Sequence, residues 1–204
     1  LKVIVDPMHG AGAGYLGNLL SGGSISLTEM RGERNPFFPD MKNPEPLSHN
    51  LKSLSKLVKS STADVGIAFD GDADRIGVVD ENGEFVTTLQ FFALLCLYLL
   101  EIRDKRGPII KSLTSSSMLF RLGEIYDVPV YEAPVGFKHI CPLMMEKKAI
   151  IGGEESGGYG FGGHIPERDG ILSAAFFLDM MCKTGKSVSE LVGYLYEKVG
   201  PHHY

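Results

Sequence analysis

The chain has 204 residues, of which 44% are hydrophobic and 22% charged, and its formal charge is −5. This length suits one large domain or two small ones, and the composition excludes a disordered chain. The 25 acidic residues outnumber the 20 Lys and Arg residues, and the basic residues form no stripe along the sequence. We therefore expect no nucleic-acid partner.

Two further features indicate where the protein works. The longest apolar run, residues 89–100, contains Gln90 and is too short to span a bilayer, so we expect no membrane association. The three cysteines are far apart and odd in number, which fits neither a disulfide framework nor a zinc site. We therefore expect a reducing compartment, the cytoplasm.

The first half of the chain alternates strand and helix patterns. Short apolar runs predict strands, and Leu47, Leu51, Leu54 and Val58 recur at helical spacing. A run that is apolar nearly all round predicts a buried helix. The predicted elements are a strand over 2–6, a helix near 47–58, strands over 63–69 and 76–80, an Asn82-Gly83 turn and a helix over 88–103.

A charged stretch over 103–108 ends in Gly-Pro and is the candidate linker. The rhythm then restarts, and Ser187 with Glu190 has the spacing of a capping box. Strands alternating with helices predict layered α/β domains, here over 1–104 and 105–204. The second set comprises strands over 109–113, 128–132 and 149–152, helices over 118–125 and 140–147, and two C-terminal helices.

Three aspartates alternate in Asp70-Gly71-Asp72-Ala73-Asp74-Arg75, between two predicted strands. Crowded carboxylates repel one another, and Arg75 can balance only one of them, so a divalent cation is expected among them. Hard oxygen ligands on a tight loop favour Mg²⁺. A calcium loop is excluded because Arg75 stands where that loop needs Gly, whereas a solvated acidic turn stays open as an alternative.

A second candidate site is rich in glycine. Seven of the twelve residues 152–163 are Gly, which would let the backbone approach a ligand closely. Within this run, Glu154 and Ser156 offer groups that bind sugar hydroxyls, although a plain surface turn remains possible. Glycines at 12, 14 and 17 follow the first strand in a G-x-G-x-x-G pattern, so a dinucleotide-binding oxidoreductase domain stays open as an alternative.

The combination of these loops resembles the α-D-phosphohexomutases, the phosphoglucomutase and phosphomannomutase family. The resemblance rests on the acidic loop, on Val135-Gly136-Phe137-Lys138 and on Gly153-Glu154-Glu155-Ser156-Gly157-Gly158. Supporting matches are Asp6-Pro7-Met8, Asn43-Pro44-Glu45-Pro46 and Arg168-Asp169-Gly170-Ile171. It implies the middle two of four domains, that is, two tandem three-layer α/β/α sandwiches with mixed sheets.

The resemblance also implies a reaction, the interconversion of hexose 1-phosphate and hexose 6-phosphate through a phosphoserine enzyme and a hexose bisphosphate. Positioning and charge stabilisation dominate such phosphoryl transfer. The implied roles are Mg²⁺ ligation by Asp70, Asp72 and Asp74, catalysis by Arg75 and Lys138, and substrate binding by Gly136, Glu154, Ser156, His164 and Arg168. An ordinary exposed lysine remains the alternative for Lys138.

Two family motifs are missing: the serine loop and the C-terminal phosphate clamp. Ser48-His49-Asn50 imitates part of the serine loop, but it lies in the predicted helix and is interpreted as cap or surface. We therefore expect a fragment, inactive alone, whose partners are the N- and C-terminal domains of the parent chain. Gly158, where mannomutase-type loops often carry His, favours glucose phosphates. A non-catalytic sugar-phosphate binding module is the competing hypothesis.

Overall fold

A computed structural model describes residues 1–202. The chain forms two compact units, residues 1–87 with 170–189, and residues 88–169 with 190 onward. This division differs from the predicted domains 1–104 and 105–204 in two ways. The apolar helix that starts at Thr88 groups with the second unit, and residues 170–189 group with the first. The predicted strands and helices occur in the predicted order, and the structure adds four short elements that were not predicted: Tyr15–Leu19, Ser26–Glu29, Phe85–Val86 and Tyr159–Phe161.

The first unit is built on a five-stranded mixed sheet with the order β2-β1-β3-β4-β5. Strand β1 is parallel to β2 and β3, whereas β4 is antiparallel to β3 and β5. The bounds are β1 Lys2–Asp6, β2 Ser26–Glu29, β3 Val65–Phe69, β4 Ile76–Val79 and β5 Phe85–Val86.

Helices cover both faces of this sheet. Helix α2 (Lys52–Lys59) packs on the face that carries Gly66 and Ala68, where Leu54 and Val58 lie in the core. Helix α6 (Gly170–Thr184) contacts β3 and β4, and the short α1 (Tyr15–Leu19) contacts α6. The unit is therefore a three-layer α/β/α sandwich.

The second unit repeats this plan with a four-stranded mixed sheet in the order β7-β6-β8-β9. Strand β6 is parallel to β7 and β8, and β9 is antiparallel to β8. The bounds are α3 Thr88–Leu97, β6 Ile109–Ser112, α4 Met118–Tyr126, β7 Val130–Ala133, α5 Phe137–Lys147, β8 Ile151–Gly153, β9 Tyr159–Phe161 and α7 Val188–Val199.

The faces of this sheet are also covered by helices. Helix α5 packs over Ile110 and Gly152, and its Ile140 and Met144 fill the core there. Helices α3 and α4 contact each other, and α4 packs against β6 and β7. A π-helical turn over Tyr98–Ile102 continues α3. In the part of the chain that is described, no helix is long and apolar enough to cross a membrane.

Candidate functional site

The acidic loop leaves the carboxyl end of β3 and turns into the antiparallel β4. Backbone hydrogen bonds hold it from two sides: Gly71 N–H donates to the Pro44 carbonyl (3.1 Å), and Ala11 N–H donates to the Gly71 carbonyl (2.9 Å). Ala73 has a φ of 63°, which is uncommon for a residue other than Gly. The loop therefore has a fixed backbone, supported by segments 7–12 and 43–46.

The three predicted metal ligands converge. One carboxylate oxygen from each of Asp70, Asp72 and Asp74 lies within 4.8 Å of the others. The solvent exposure of the three side chains differs: Asp70 is buried, with only 2% exposed, whereas Asp72 is exposed. An all-oxygen donor set that reaches solvent on one side fits Mg²⁺, which keeps waters and accepts phosphate oxygens.

Electrostatics at Asp70 is dominated by burial. Burial, with a smaller contribution from the like charge of Asp74, raises the pKa of Asp70 to about 7, although the Arg75 backbone N–H and guanidinium oppose this. Arg75 Nε lies 2.8 Å from Asp70 Oδ2 and 3.7 Å from Asp74 Oδ1. One guanidinium thus leaves the cluster with excess negative charge.

Sequence reasoning did not find the third carboxylate at Arg75. Glu45 Oε1 lies 3.5 Å from Arg75 Nη1, and Glu45 belongs to the Asn43-Pro44-Glu45-Pro46 motif. Asn50 braces this motif by donating from Nδ2 to the carbonyls of Asn43 (2.8 Å) and Glu45 (2.9 Å). The Asn43-Pro44-Glu45-Pro46 motif was the only sequence feature that could have indicated a role for Glu45 near Arg75.

The predicted sugar-binding residues occupy the turn of a hairpin between β8 and β9. Glu154 N–H donates to the Gly158 carbonyl (3.0 Å), and Gly157 N–H donates to the Glu154 carbonyl (3.3 Å). Gly157 has a φ of 92°, a conformation that favours glycine. Residues 154–158 are therefore an ordered turn at the carboxyl end of β8.

Glu154 connects this turn to the start of α5. Its Oε1 accepts the Gly136 N–H (3.0 Å), and its Oε2 lies 3.4 Å from Arg168 Nη1. Lys138 follows in the first turn of α5 and is exposed. Glu154, Gly136 and Arg168 are thus brought together as expected for one site, and Lys138 lies two residues from Gly136.

The Ser156 hydroxyl has no hydrogen-bond partner within residues 1–202, although its oxygen is shielded from solvent. Leaving such a group unpaired costs about 1–3 kcal/mol. A sugar hydroxyl is a suitable partner, because it can both donate and accept.

His164 stands apart from this group. It is exposed, and its Nε2 lies 3.0 Å from Asp169 Oδ2. A cavity of about 340 Å³ beside it is lined by Met144, Phe161 and their neighbours, and includes none of Gly136, Lys138, Glu154, Ser156 or Arg168. The hydrogen-bond partner of His164 is thus Asp169, which is not among the predicted sugar-site residues.

Most glycines of the glycine-rich run are needed for packing inside the protein. A Cβ at Gly152 would lie 2.3 Å from Met144 Sδ, and one at Gly162 would lie 2.3 Å from the Ala149 carbonyl oxygen. At Gly158 it would meet Arg168 Cδ at 2.3 Å. The expectation that this density serves ligand approach is therefore incomplete: β9 lies within the run, and its close packing requires glycine.

Two other sequence features have simpler outcomes. Ser48 and His49 are exposed in a turn that precedes α2, so they lie outside the helix in which they were expected. The glycines at 12 and 14 lead into α1, a helix of five residues. This short helix does not resemble the long helix of a dinucleotide-binding unit.

Comparison with known proteins decides the family. The model for phosphoglucomutase/phosphomannomutase α/β/α domain II matches residues 1–83, and the model for α/β/α domain III matches residues 89–199. The chain belongs to the phosphohexomutase family. Both matched segments are α/β/α domains in that family, which confirms the predicted fold class.

Relatives within the phosphohexomutases differ in their named sugars. The chain is 34% identical over 193 residues to a phosphoglucomutase/phosphomannomutase of Thermococcus kodakarensis, covering 95% of this chain and 42% of that protein. It is 35% identical over 152 residues to a phosphoglucosamine mutase of Ruminiclostridium cellulolyticum, covering 72% and 33%. The chain spans less than half the length of these relatives.

Solved structures agree with this assignment. A crystal structure from Thermus thermophilus, assigned to the phosphomannomutases, has a TM-score of 0.93 and 38% identity, covering 100% of this chain and 47% of that chain. An N-acetylphosphoglucosamine mutase of Aspergillus fumigatus, solved with GlcNAc-6P and magnesium, shares the fold at a TM-score of 0.71 and 15% identity, covering 94% and 48%.

Proposed function

We propose that this chain carries the Mg²⁺ loop and the sugar-binding loop of a mutase that interconverts hexose 1-phosphate and hexose 6-phosphate through a hexose bisphosphate. The observation that carries the proposal is the convergence of Asp70, Asp72 and Asp74 around one point, with a single adjacent guanidinium. A binding surface for neutral sugars alone would not require this density of negative charge.

Asp70, Asp72 and Asp74 would hold Mg²⁺, which supplies positive charge for the oxygens of a transferring phosphoryl group. Arg75 adds a fixed cation beside them, held by Asp70 and Glu45. Such preorganised charge is the main contribution a protein makes to phosphoryl transfer. We propose that the phosphoserine and the phosphate clamp come from polypeptide other than these 204 residues.

The sugar would be oriented by the second unit. Within residues 1–202 the Ser156 hydroxyl has no hydrogen-bond partner, and each Glu154 oxygen keeps a second lone pair after its contact to Gly136 or Arg168. Lys138 is exposed and free to approach an anionic substrate. His164 has the weakest claim, because its observed partner is Asp169.

Glucose phosphates are the favoured substrates. The aliphatic part of Arg168 occupies the space that a side chain at Gly158 would need, so a histidine there would have to displace Arg168. The relatives include phosphoglucosamine mutases, so glucosamine 1-phosphate belongs in the same assay as mannose 1-phosphate.

A cytoplasmic location is supported by Cys96, Cys141 and Cys182, which are all free.

Calorimetric titration with Mg²⁺ tests the metal site. Asp72→Asn is the informative variant, because this side chain is exposed and its replacement leaves the buried Asp70 intact. We expect it to weaken Mg²⁺ binding at least tenfold, while Asp104→Asn, an exposed control (86%), has no effect. Equal Mg²⁺ affinity in all three proteins would contradict the proposal.

A turnover assay separates the mutase fragment from a non-catalytic binding module. We expect the chain alone to bind glucose 1,6-bisphosphate weakly and not to convert glucose 1-phosphate into glucose 6-phosphate. Tight binding without turnover would favour the sugar-phosphate binding module. Turnover by the chain alone would refute the external phosphoserine.

A further inference from the structure

Three loops follow the carboxyl ends of the parallel strands β6, β7 and β8. We call them the carboxyl-edge loops: residues 112–117, counted from the last residue of β6, and residues 134–136 and 154–158. Two adjacent glutamates in the third loop each reach one of the other two. Glu154 accepts a hydrogen bond from Gly136 N–H (3.0 Å), and Glu155 Oε2 accepts one from Ser112 Oγ (2.7 Å).

Ser112 is the centre of a small hydroxyl cluster. It is fully buried, and its Oγ lies 2.9 Å from Ser115 Oγ and 3.2 Å from Thr114 Oγ1. A carboxylate only accepts hydrogen bonds, so the single Ser112 proton goes to Glu155 and the Ser115 hydroxyl can donate to Ser112. Although burial opposes it, hydrogen bonds from Thr114 and Ser112 hold the pKa of Glu155 below its ordinary value.

The main chain at Glu155 is held as well. Thr88 Oγ1 donates to the Glu155 carbonyl at 2.6 Å, so side chain and backbone of this residue are both anchored. Its neighbour Ser156 has no side-chain hydrogen bond within residues 1–202. The position of the Ser156 hydroxyl therefore depends on the backbone that Glu155 fixes.

We propose that Glu155 is a positioning residue for sugar recognition: its hydrogen bond with Ser112 fixes the 154–158 turn so that Glu154 and Ser156 meet the sugar hydroxyls. The inference rests on the proposed function, since it assigns Glu154 and Ser156 to the sugar. Glu155 acts through its neighbours, because its own Oε2 is already bound to Ser112.

The test compares four variants with the parent chain by calorimetry with glucose 1,6-bisphosphate. Glu155→Ala and Ser112→Ala each remove the hydrogen bond, and loss of a comparable supporting contact around a metal site typically costs 10–100-fold in affinity. We expect each to weaken binding by about that factor, and the double variant to be no worse than the weaker single one. Glu155→Gln keeps a carbonyl acceptor for Ser112 Oγ and should bind within about threefold of the parent chain.

Two controls separate positioning from general damage. Mg²⁺ affinity should be unchanged in every variant, because the aspartate trio belongs to the first unit. Glu124→Ala, which removes an exposed ion pair with Arg121, should leave bisphosphate binding unchanged. A fall in Mg²⁺ affinity alongside bisphosphate affinity, or no recovery in Glu155→Gln, would overturn the positioning role.

Hydrogen exchange distinguishes failure of this inference from failure of the proposed function. If the parent chain binds no hexose phosphate, the proposed function fails, and exchange still reports on the turn. We expect the Gly157 amide, which donates to the Glu154 carbonyl, to exchange at least tenfold faster in Glu155→Ala and Ser112→Ala. Unchanged exchange together with unchanged bisphosphate binding refutes the inference.

Discussion

Replacing Arg31 by Met should destabilise the first unit strongly. Asp6, at the end of β1, is fully buried, and its carboxylate accepts from Met8 N–H (3.0 Å) and Arg31 Nε (2.9 Å). Arg31 Nη2 also donates to the second Asp6 oxygen, so the ion pair is bidentate. Arg31→Met keeps most of the stem but leaves the Asp6 charge uncompensated.

The size of this effect follows from burial. Removing one partner of a buried ion pair typically costs about 3–5 kcal/mol, whereas an exposed pair contributes about 0–1 kcal/mol. The Asp6 side chain is 0% exposed and that of Arg31 is 16% exposed, so the larger figure applies. Arg121→Met is the matched control, because Arg121 and Glu124 are 60% and 64% exposed.

Native-state hydrogen exchange of β1 and β3 peptides is the suitable assay. The chain has no Trp, and Tyr15 is the single Tyr of residues 1–87 and 170–189, so intrinsic fluorescence reports mainly on the second unit. A loss of 3–5 kcal/mol corresponds to exchange faster by roughly two to four powers of ten. A loss below about 1 kcal/mol in Arg31→Met would refute the assignment of a buried, essential ion pair.

Three further predictions concern stability. Gly152→Ala should cost about 1–3 kcal/mol by overpacking, whereas Gly193→Ala, in α7 with open space around it, should stabilise by about 0.5–1 kcal/mol; thermal unfolding of both variants checks this. Glu81→Ala removes the carboxylate that accepts from Ser189 N–H at the start of α7 (3.2 Å), and should cost about 0.5–2 kcal/mol in urea unfolding. Although burial opposes it, hydrogen bonds led by that from Lys198 hold the pKa of Glu101 below its ordinary value. The ionised Glu101 therefore stabilises the folded chain fully above its unfolded-state pKa of about 4.3, and this stabilisation is lost as the pH falls through the lower folded-state pKa. The melting-temperature gap between the parent chain and Glu101→Gln should therefore be constant near pH 6 and shrink below pH 4; a gap independent of pH would contradict this.

The central strands could be predicted because burial on both faces leaves a continuous apolar run, as in β3 and β4. Strand β2 could not, since Ser26–Glu29 is a mostly exposed edge strand with little apolar pattern. Strand β9 lies between glycines that suggest a loop. Its pairing with β8 depends on close packing, which composition does not reveal.

The acidic loop could be identified because all its charged groups are adjacent in the chain. The residues that support the two candidate loops could not be identified, because they are distant in the chain. Glu45 is 30 residues from Arg75 of the acidic loop, and Ser112 is 43 residues from Glu155 of the glycine-rich loop. Hydroxyl runs such as residues 114–117 are common in turns, and nothing local distinguishes a cluster that anchors a carboxylate. The parallel register of β6 and β8 brings Ser112 and Glu155 to the same edge of the sheet.

The hairpin formed by β8 and β9 has the glycine-rich composition of a flexible linker, but its close packing makes it rigid. At each crowded glycine, neighbouring backbone, sulfur or ring atoms occupy the space that a side chain would need. The hairpin backbone therefore has little conformational freedom to lose when a ligand binds. A small, hydroxyl-rich molecule that settles against this hairpin would meet groups already in place, so the entropic penalty of association would be low. Discrimination between epimers would then depend on steric fit to a rigid template.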